Sequence, residues 1–416
     1  MIEAKPFTIS KWDVLRAYQL VKANQGSAGV DGESLSDFDL NLKRNLYKIW
    51  NRMSSGTYFP PPVMAVAIPK KTGGERVLGI PTVSDRIAQM VVKMAFEPSA
   101  ERVFLPDSYG YRPGKSALDA VGITRKRCWQ FDWVLEFDIK GLFDNIRHDL
   151  LMKAVEKHTD SPWVKLYIER WLTAPLQGKN GEWIARTQGT PQGGVISPVL
   201  ANLFLHYVFD KWLERHYPSV KWCRYADDGL VHCRSREEAE HMLSVLRSRF
   251  AECGLELHPV KTKVIYCKDG SRKGNHEHTQ FDFLGYTFRR RVVKNRKRNS
   301  LFLSFTPAVS KMSLTGMKRR IRELRVRLRT ELSIAQMAKW LNPILNGWLE
   351  YYGAFYRSAL YAIFRHVNKA LVRWARRKFK PLRRHKTQAS KFIGRISEQC
   401  PRLFAHWRQG MRGSLV

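Results

Sequence analysis

The stretch Lys221-Trp-Cys-Arg-Tyr-Ala-Asp-Asp-Gly-Leu-Val-His232 decides how the rest of the chain is interpreted. Two short apolar runs flank Ala226-Asp227-Asp228, a pattern that predicts a β-hairpin with two carboxylates at its tip. Neighbouring carboxylates at a tight turn repel each other unless a cation lies between them, and hard cations such as Mg²⁺ prefer oxygen ligands. Asp-Asp-Gly is also simply a good turn sequence, so the hairpin by itself leaves both interpretations open.

A third carboxylate upstream decides between them. Asp138 is at the end of a predicted short β-strand, whose apolar residues are Val134, Leu135, Phe137 and Ile139. Chemistry on a nucleoside triphosphate needs carboxylates from separate strands that converge on two metal ions, one activating the attacking 3′ hydroxyl and one holding the triphosphate. Phe143 is placed to press against the sugar and reject a 2′ hydroxyl. The two motifs, about 90 residues apart in this order, therefore predict nucleotidyl transfer.

A β-hairpin over residues 63–80 adds two candidate cations. Its turn is predicted at Gly73-Gly74, and Lys70 and Arg76 flank that turn. Two cations on a hairpin above an active site suit a triphosphate, because Arg can grip two oxygens at once. Surface charge on a solvated hairpin is the alternative, and it would be preferred without the aspartates.

Three segments resemble the reverse transcriptases encoded by bacterial group II introns. Two are described above, Tyr225–Asp228 and Phe137–Phe143, and the third is the loop Thr187–Pro198. The resemblance extends essentially from end to end of the chain. It implies an α+β right-hand polymerase fold, with fingers and an antiparallel palm sheet, followed by an all-α thumb/maturase domain. It implies four parts: an N-terminal extension packing on the fingers (1–60), fingers and palm (61–299), thumb and maturase region X (300–379), and a basic DNA-binding-like element (380–416).

The resemblance also assigns roles to single residues. Two Mg²⁺ ions, with Mn²⁺ as a possible substitute, are expected on Asp138 and Asp227, with Asp228 close by and the Ile139 carbonyl as a further ligand. The expected contacts of the incoming nucleotide, in chain order, are Lys70, Arg76, Arg112, Ile139, Phe143, Gln192 and Lys261. For Gln192 a plain polar loop residue is the alternative, and for Lys261 a phosphate-facing charge competes with proton donation to the departing pyrophosphate.

The charge balance points to a polyanionic partner. The 416 residues contain 72 Lys and Arg against 37 Asp and Glu, a formal net charge of +35. Such an excess indicates a long polyanion, the alternative being a basic but unrelated cytosolic enzyme. The six cysteines show no C-x-x-C spacing, which argues against a zinc ribbon or a disulfide framework and fits a reducing cytoplasm. No signal peptide or membrane-spanning apolar run is recognised, so we expect a bacterial cytoplasmic protein, nucleoid-associated when bound to DNA.

The composition changes after residue 288. Residues 289–298 are expected to form a basic mobile connector, followed by a helix with an apolar stripe from Leu314 to Leu328 and basic residues on its other faces. We expect this helix to meet nucleic-acid phosphates, since few acidic partners accompany its cations. The predicted contacts are Lys318, Arg319, Arg322, Arg325 and Arg329.

The C-terminal part resembles group II intron proteins again. The Gly347-Trp-x-x-Tyr-Tyr352 segment is similar to maturase region X, and Cys400–Trp407 is similar to a short C-terminal element of intron proteins of this size. No H-N-H pattern or cysteine pair follows, so the endonuclease domain of longer relatives is expected to be missing.

Three functions remain in view. The first is an intron-encoded RNA-directed DNA polymerase that copies intron RNA into cDNA and binds intron RNA to assist splicing and mobility. Its partners would be intron RNA, an RNA template with a DNA primer, target DNA and dNTPs, and no membrane. The second is a non-intron bacterial reverse transcriptase (retron, diversity-generating or defence-associated), against which region X argues. The third is an RNA-binding splicing factor without polymerase activity, against which the three intact aspartates argue.

Overall fold

The computed structural model describes residues 5–69, 74–295 and 298–412 of an α+β chain. The described residues divide into two compact units. The first unit comprises residues of 1–116 and 135–263, and the second those of 117–134 and 264–416. Neither unit is a continuous stretch of sequence.

The helices alternate with strands in the first two thirds of the chain and dominate the last third. In chain order the helices are α1 (Lys11–Asn24), α2 (Leu35–Leu40), α3 (Leu42–Ser54), α4 (Val83–Glu101), α5 (Ala117–Gln130), α6 (Leu142–Asn145), α7 (His148–Glu156), α8 (Pro162–Thr173), α9 (Ser197–Leu205), α10 (Lys211–His216), α11 (Arg236–Glu252), α12 (Lys311–Glu323), α13 (Ile334–Tyr356), α14 (Tyr361–Lys378), α15 (Lys386–Gln399) and α16 (Ala405–Arg408). None in the described ranges is long and apolar enough to cross a bilayer.

The strands are mostly short. They are β1 (Val63–Pro69), β2 (Glu75–Ile80), β3 (Trp133–Asp138), β4 (Leu176–Gln177), β5 (Trp183–Ile184), β6 (Lys221–Tyr225), β7 (Asp228–Cys233), β8 (Lys263–Tyr266), β9 (Gln280–Phe283), β10 (Tyr286–Asn295) and β11 (Ser300–Val309). β1 and β2 pair antiparallel, which confirms the predicted 63–80 hairpin, and β1 also pairs parallel with β4.

The sheet beneath the site is built around β7, which lies between β6 and β3. β6 and β7 pair antiparallel up to Tyr225 opposite Asp228, as the hairpin pattern predicts. A Cβ atom at Gly229 would lie 2.0 Å from Cζ of Phe137. Only glycine therefore lets β7 pack this closely on the buried ring that precedes Asp138.

The basic stretch 289–298 was predicted to be a mobile connector, and that prediction is wrong for the residues that the structure describes. β10 continues through Asn295 and pairs antiparallel with β11 along its full length. The Nε atom of Arg291 donates to the Thr306 carbonyl at 3.3 Å, and the opposite strand completes the backbone ladder. The expected boundary between residues 299 and 300 therefore falls inside a hairpin.

The helix predicted through Leu328 is shorter than expected. α12 ends at Glu323, Arg325 has a left-handed backbone with φ of 48°, and a 3₁₀ turn follows over Val326–Leu328. α12 to α16 enclose a common apolar core whose largest buried side chains include Trp374 and Trp407.

Candidate active site

The two strand ends of the first unit bring the three predicted aspartates together. Asp138 is the last residue of β3, Asp227 lies in the turn after β6, and Asp228 begins β7. The Ile139 amide donates to the Asp227 carbonyl at 3.4 Å, which ties the two strand ends to each other. Ala226, the first turn residue, has φ of 56°, the left-handed conformation that a two-residue hairpin turn requires.

The three carboxylates act on one another electrostatically. Partial burial raises the pKa of Asp227, and the charge of Asp138 raises it further. Burial, followed by the charges of Asp227 and Asp138, raises the pKa of Asp228 to about 7. Lys261 donates to Asp138 Oδ2 at 3.0 Å. The site therefore concentrates negative charge that Lys261 and Arg76 only partly offset.

A buried arginine supports the turn that carries Asp227. Arg224 is 0 % exposed and forms a two-pronged ion pair with Asp210, with Nε to Oδ1 at 2.7 Å and Nη2 to Oδ2 at 2.6 Å. Its Nη1 atom donates to the Ala226 carbonyl at 3.1 Å and to Asn202 Oδ1 at 3.0 Å. Ser108 Oγ accepts from Nη2 at 2.9 Å. The turn that carries Asp227 is thereby fixed to buried parts of the unit.

The loop after Gly189 is attached both to the β1–β2 hairpin and to Phe143. The Gly79 amide of β2 donates to the Gln192 carbonyl at 2.8 Å, and the Thr190 amide donates to the Phe143 carbonyl at 2.7 Å. Gln89 Oε1 accepts from the Val195 amide at 2.7 Å. The backbones of Phe143 and Gln192 are therefore linked through this loop.

Lys70 and Arg76 are two further predicted nucleotide contacts. Arg76 is exposed on β2, and its charge lowers the pKa of Asp227, which places the guanidinium within electrostatic reach of the aspartates. Lys70 lies outside the described residues.

Arg112 does not have the environment that its predicted role needs. Its Nε atom donates to Glu101 Oε1 at 2.8 Å, and Nη1 donates to the carbonyls of Leu105 and Ser108 at 2.6 and 2.8 Å. Only 6 % of the side chain is exposed. This geometry supports a structural role, bracing the 101–112 segment, instead of contact with template and nucleotide.

Tyr111, next in the chain to Arg112, was missed. Its backbone is left-handed with φ of 57°, its side chain is 54 % exposed, and its ring centroid lies 6.5 Å from that of Tyr225. Burial and the charge of Asp227 raise its pKa. An aromatic residue within reach of the aspartates is suited to contact a base or sugar, and the aromatic Tyr-Gly-Tyr sequence was the available signal.

A basic face in the second unit combines α12 with α14. Burial lowers the pKa of His366, and the nearby charges lower it further; these charges belong to Arg322, Lys318, Arg373 and Lys369. These five residues form what we call the α12–α14 basic face. Of them, only Lys318 and Arg322 were predicted from the sequence.

The other three predicted contacts on this part of the chain lie outside that face. Arg319 lies 3.8 Å from Glu323, and Arg329 lies 3.8 Å from Glu331. Arg325 follows the end of α12.

Paired carboxylates at a β-hairpin tip, a third at a neighbouring strand end and an attached glycine-rich loop define a nucleotidyl-transfer site of the polymerase class. The family model described as "Reverse transcriptase (RNA-dependent DNA polymerase)" matches residues 68–288, and "Group II intron, maturase-specific domain" matches residues 314–392. The chain therefore belongs to the reverse transcriptase family and carries a maturase domain, which makes it an RNA-directed DNA polymerase of the group II intron kind.

Known relatives agree with this assignment. Protein YkfC of Escherichia coli is 32 % identical over 321 residues, 65 % of this chain and 77 % of the relative. Group II intron-encoded protein LtrA of Lactococcus lactis is 34 % identical over 193 residues, 46 % of this chain and 32 % of the relative. The putative COX1/OXI3 intron 1 protein of Saccharomyces cerevisiae is 30 % identical over 202 residues, 48 % and 24 % of the two chains. The matches thus span most of YkfC but a third or less of the other two.

Reverse transcriptases generally use divalent metal ions, and the donor chemistry here fits them. Asp138, Asp227 and Asp228 supply hard oxygen ligands, and burial and neighbouring negative charge raise the pKa values of Asp227 and Asp228. Within the described ranges, however, no three His, Cys, Asp or Glu side chains are already gathered closely enough to hold a metal ion. Binding would therefore require these side chains to turn, and Lys261 to release Asp138.

Proposed function

We propose that this chain extends a DNA primer on RNA at Asp138, Asp227 and Asp228, and that group II intron RNA is its natural partner. The placement of Asp138, Asp227 and Asp228 at adjoining strand ends, where burial and the charge of Asp138 raise the pKa values of the other two, is the observation that carries the proposal. Carboxylates gathered without matching cations are unfavourable in a folded protein unless a cationic ligand stabilises them.

Two divalent ions, Mg²⁺ or in its place Mn²⁺, would supply activation of the 3′ hydroxyl and neutralisation of the triphosphate when bound. Asp138, Asp227 and the Ile139 carbonyl are the proposed ligands, with Asp228 beside them. Lys261 would exchange its contact with Asp138 for one with phosphate oxygens. That exchange leaves its ammonium group able to donate a proton to the leaving pyrophosphate.

Nucleotide selection is proposed for the residues around the 189–195 loop. Phe143 would press on the sugar and exclude a 2′ hydroxyl, while the Gln192 amide contacts a sugar or base edge. Arg76, together with Lys70, would bind the triphosphate, because guanidinium groups hold two phosphate oxygens at once.

RNA affinity is proposed to reside largely in the α12–α14 basic face. Neighbouring cations on two packed helices suit a phosphodiester backbone, whose binding releases counterions. The partners would be intron RNA, the primed RNA template and target DNA. The proposed location is the reducing bacterial cytoplasm, with nucleoid association on DNA, and five of the six cysteines are buried.

The test is extension of a DNA primer on a long RNA with dNTPs and Mg²⁺. Asp227→Asn should abolish extension and leave RNA affinity unchanged, because binding is spread over many cations. Asp149→Asn is the matched control, since Asp149 is an exposed carboxylate paired with Arg147. Full activity of Asp227→Asn would refute the site. Failure of wild type to extend, with RNA binding retained, would favour a splicing factor without polymerase activity.

A further inference from the structure

A buried pair of side chains on α4 contacts the loop that follows Gly189. Asp85 lies in the first turn of the helix and Gln89 one turn later, and each is 1 % exposed. Residues four apart lie on the same face of a helix, and Gln89 Nε2 donates to Asp85 Oδ2 at 2.9 Å. Neither side chain has a part in the chemistry proposed for the aspartates.

Three neutral donors contact the Asp85 carboxylate. Its Oδ1 atom accepts from the Tyr58 hydroxyl at 2.8 Å and from Trp171 Nε1 at 2.7 Å, and Gln89 is the third donor. Burial raises the pKa of Asp85 to about 6, and the three donors oppose that rise, so the group is ionised at neutral pH. An ionised carboxylate only accepts hydrogen bonds. It therefore fixes which end of the Gln89 amide faces it, namely the NH₂ end.

The oxygen of the Gln89 amide faces the loop. Oε1 accepts from the Val195 amide at 2.7 Å and from the Ile196 amide at 3.4 Å. Three residues before Val195, the Gln192 carbonyl accepts from the Gly79 amide at 2.8 Å. An amide turned end for end would present its NH₂ group to two backbone N–H groups, and buried donors without acceptors are unfavourable. The orientation of the Gln89 amide therefore decides whether this part of the loop is held.

We propose that Asp85 acts through Gln89 as a positioning residue for the incoming nucleotide. The carboxylate orients the amide, the amide oxygen holds the backbone of Val195 and Ile196, and the loop then presents Gln192 in one position. This inference rests on the proposed function, in which Gln192 contacts the nucleotide. A carboxylate in the interior costs folding free energy. A neutral amide in its place would carry both a donor and an acceptor and could not impose one orientation on Gln89.

A paired substitution tests the orientation directly. In Asp85→Asn the introduced amide needs its oxygen for Tyr58 and Trp171, so its NH₂ group faces that of Gln89 and forces the Gln89 amide to turn. The double variant Asp85→Asn/Gln89→Glu restores the pattern of bonds. Its amide at position 85 donates to the carboxylate at position 89, whose other oxygen accepts from the loop amides. Tyr58→Phe is the control, because it removes a donor from Asp85 Oδ1 and leaves Oδ2 bonded to Gln89.

Steady-state kinetics are measured with the full-length proteins, which extend a DNA primer on RNA over a dNTP series. Asp85→Asn should raise the dNTP KM about tenfold and leave kcat within about twofold of wild type, because saturating dNTP returns the loop to its competent position. The double variant should have a dNTP KM close to that of wild type. Tyr58→Phe should lower the midpoint of urea unfolding without changing KM, which separates positioning from stability.

Hydrogen exchange of the Val195 and Ile196 amides is a readout that does not depend on activity. Exchange should be faster in Asp85→Asn than in wild type or Tyr58→Phe, and it should return to the wild-type rate in the double variant. If Asp85→Asn does not fold, Gln89→Met, which offers the loop amides no oxygen, should show the same rise in KM and in exchange. An inactive wild type would contradict the proposed function, and the exchange rates would still test the pair.

Two results would overturn the proposal. One is a double variant as impaired as Asp85→Asn, which would make the pair an ordinary packing contact. The other is a wild-type dNTP KM in the single variant, whatever its exchange rates, or unchanged exchange rates where no protein extends a primer.

Discussion

Replacing Arg224 by methionine should destabilise the first unit severely. Arg224 and Asp210 are both 0 % exposed, and four acceptors surround the guanidinium: Asp210, Asn202, Ser108 and the Ala226 carbonyl. Removing one partner of a buried ion pair typically costs about 3–5 kcal/mol, because the other charge is left uncompensated. That is a large part of the 5–15 kcal/mol that usually stabilises a domain.

Neighbouring groups offer little compensation for the lost charge. His206 Nδ1 lies 3.9 Å from Asp210 Oδ2, but burial lowers the pKa of His206 to about 4, so it is neutral at pH 7. Asp210 would have to take up a proton, which its burial favours by raising its pKa. Proton uptake limits the loss toward the lower end of the range and makes it smaller at acidic pH.

The assay is urea denaturation of wild type, Arg224→Met, Asp210→Leu and the double variant, followed by Trp fluorescence. The double variant should recover at least half of the loss, since a well-packed apolar pair often replaces a buried ion pair without cost. A loss under about 1 kcal/mol for Arg224→Met, or a double variant no more stable than the single one, would refute the reasoning. Because the chain has two units, the transition of the first is identified by its sensitivity to dNTP and Mg²⁺.

Three further predictions follow from the geometry. Phe143→Ala should raise the ratio of ribonucleotide to deoxyribonucleotide incorporation, and an unchanged ratio would exclude Phe143 as the gate. Gly110→Ala should slow extension at least tenfold, because its Cβ would lie 2.5 Å from the Ala226 amide, whereas Gly347→Ala, with open space around the added Cβ, should not. Burial lowers the pKa of His406 to about 3, below its unfolded value near 6.5. The imidazole therefore takes up its proton at a higher pH in the unfolded chain than in the folded chain. The free energy of unfolding should fall as pH drops from about 6.5 to 5, by up to about 1.4 kcal/mol per pH unit. His206, whose pKa is also lowered, contributes a slope of the same sign, so His406→Gln should reduce the slope in urea titrations, and an equal slope in both proteins would contradict the assignment.

Local sequence patterns identified the elements whose partners lie nearby. The aspartate hairpin and the β1–β2 hairpin are both present where the sequence pattern predicts them. Each depends on contacts within a few residues.

Contacts between residues far apart in the sequence determine the features that the local sequence patterns did not predict. The arginines of β10 form a strand because β11 supplies a full antiparallel ladder. Arg112 meets Glu101, eleven residues away, and Arg224 meets Asp210, fourteen residues away. No local rule links such pairs, so the aspartates were predictable while the arginine that supports their turn was not.

The interrupted second unit has a consequence for synthesis on the ribosome. Helix α5 emerges early, but the acceptor for its Trp129 side chain is synthesised late. Trp129 Nε1 donates to the Phe305 carbonyl at 2.9 Å, and Phe305 lies 176 residues further along the chain. At roughly 5–20 residues per second, α5 waits about 10–35 s before β11 exists. Translation speed between codons 130 and 305 is therefore expected to influence the yield of folded enzyme.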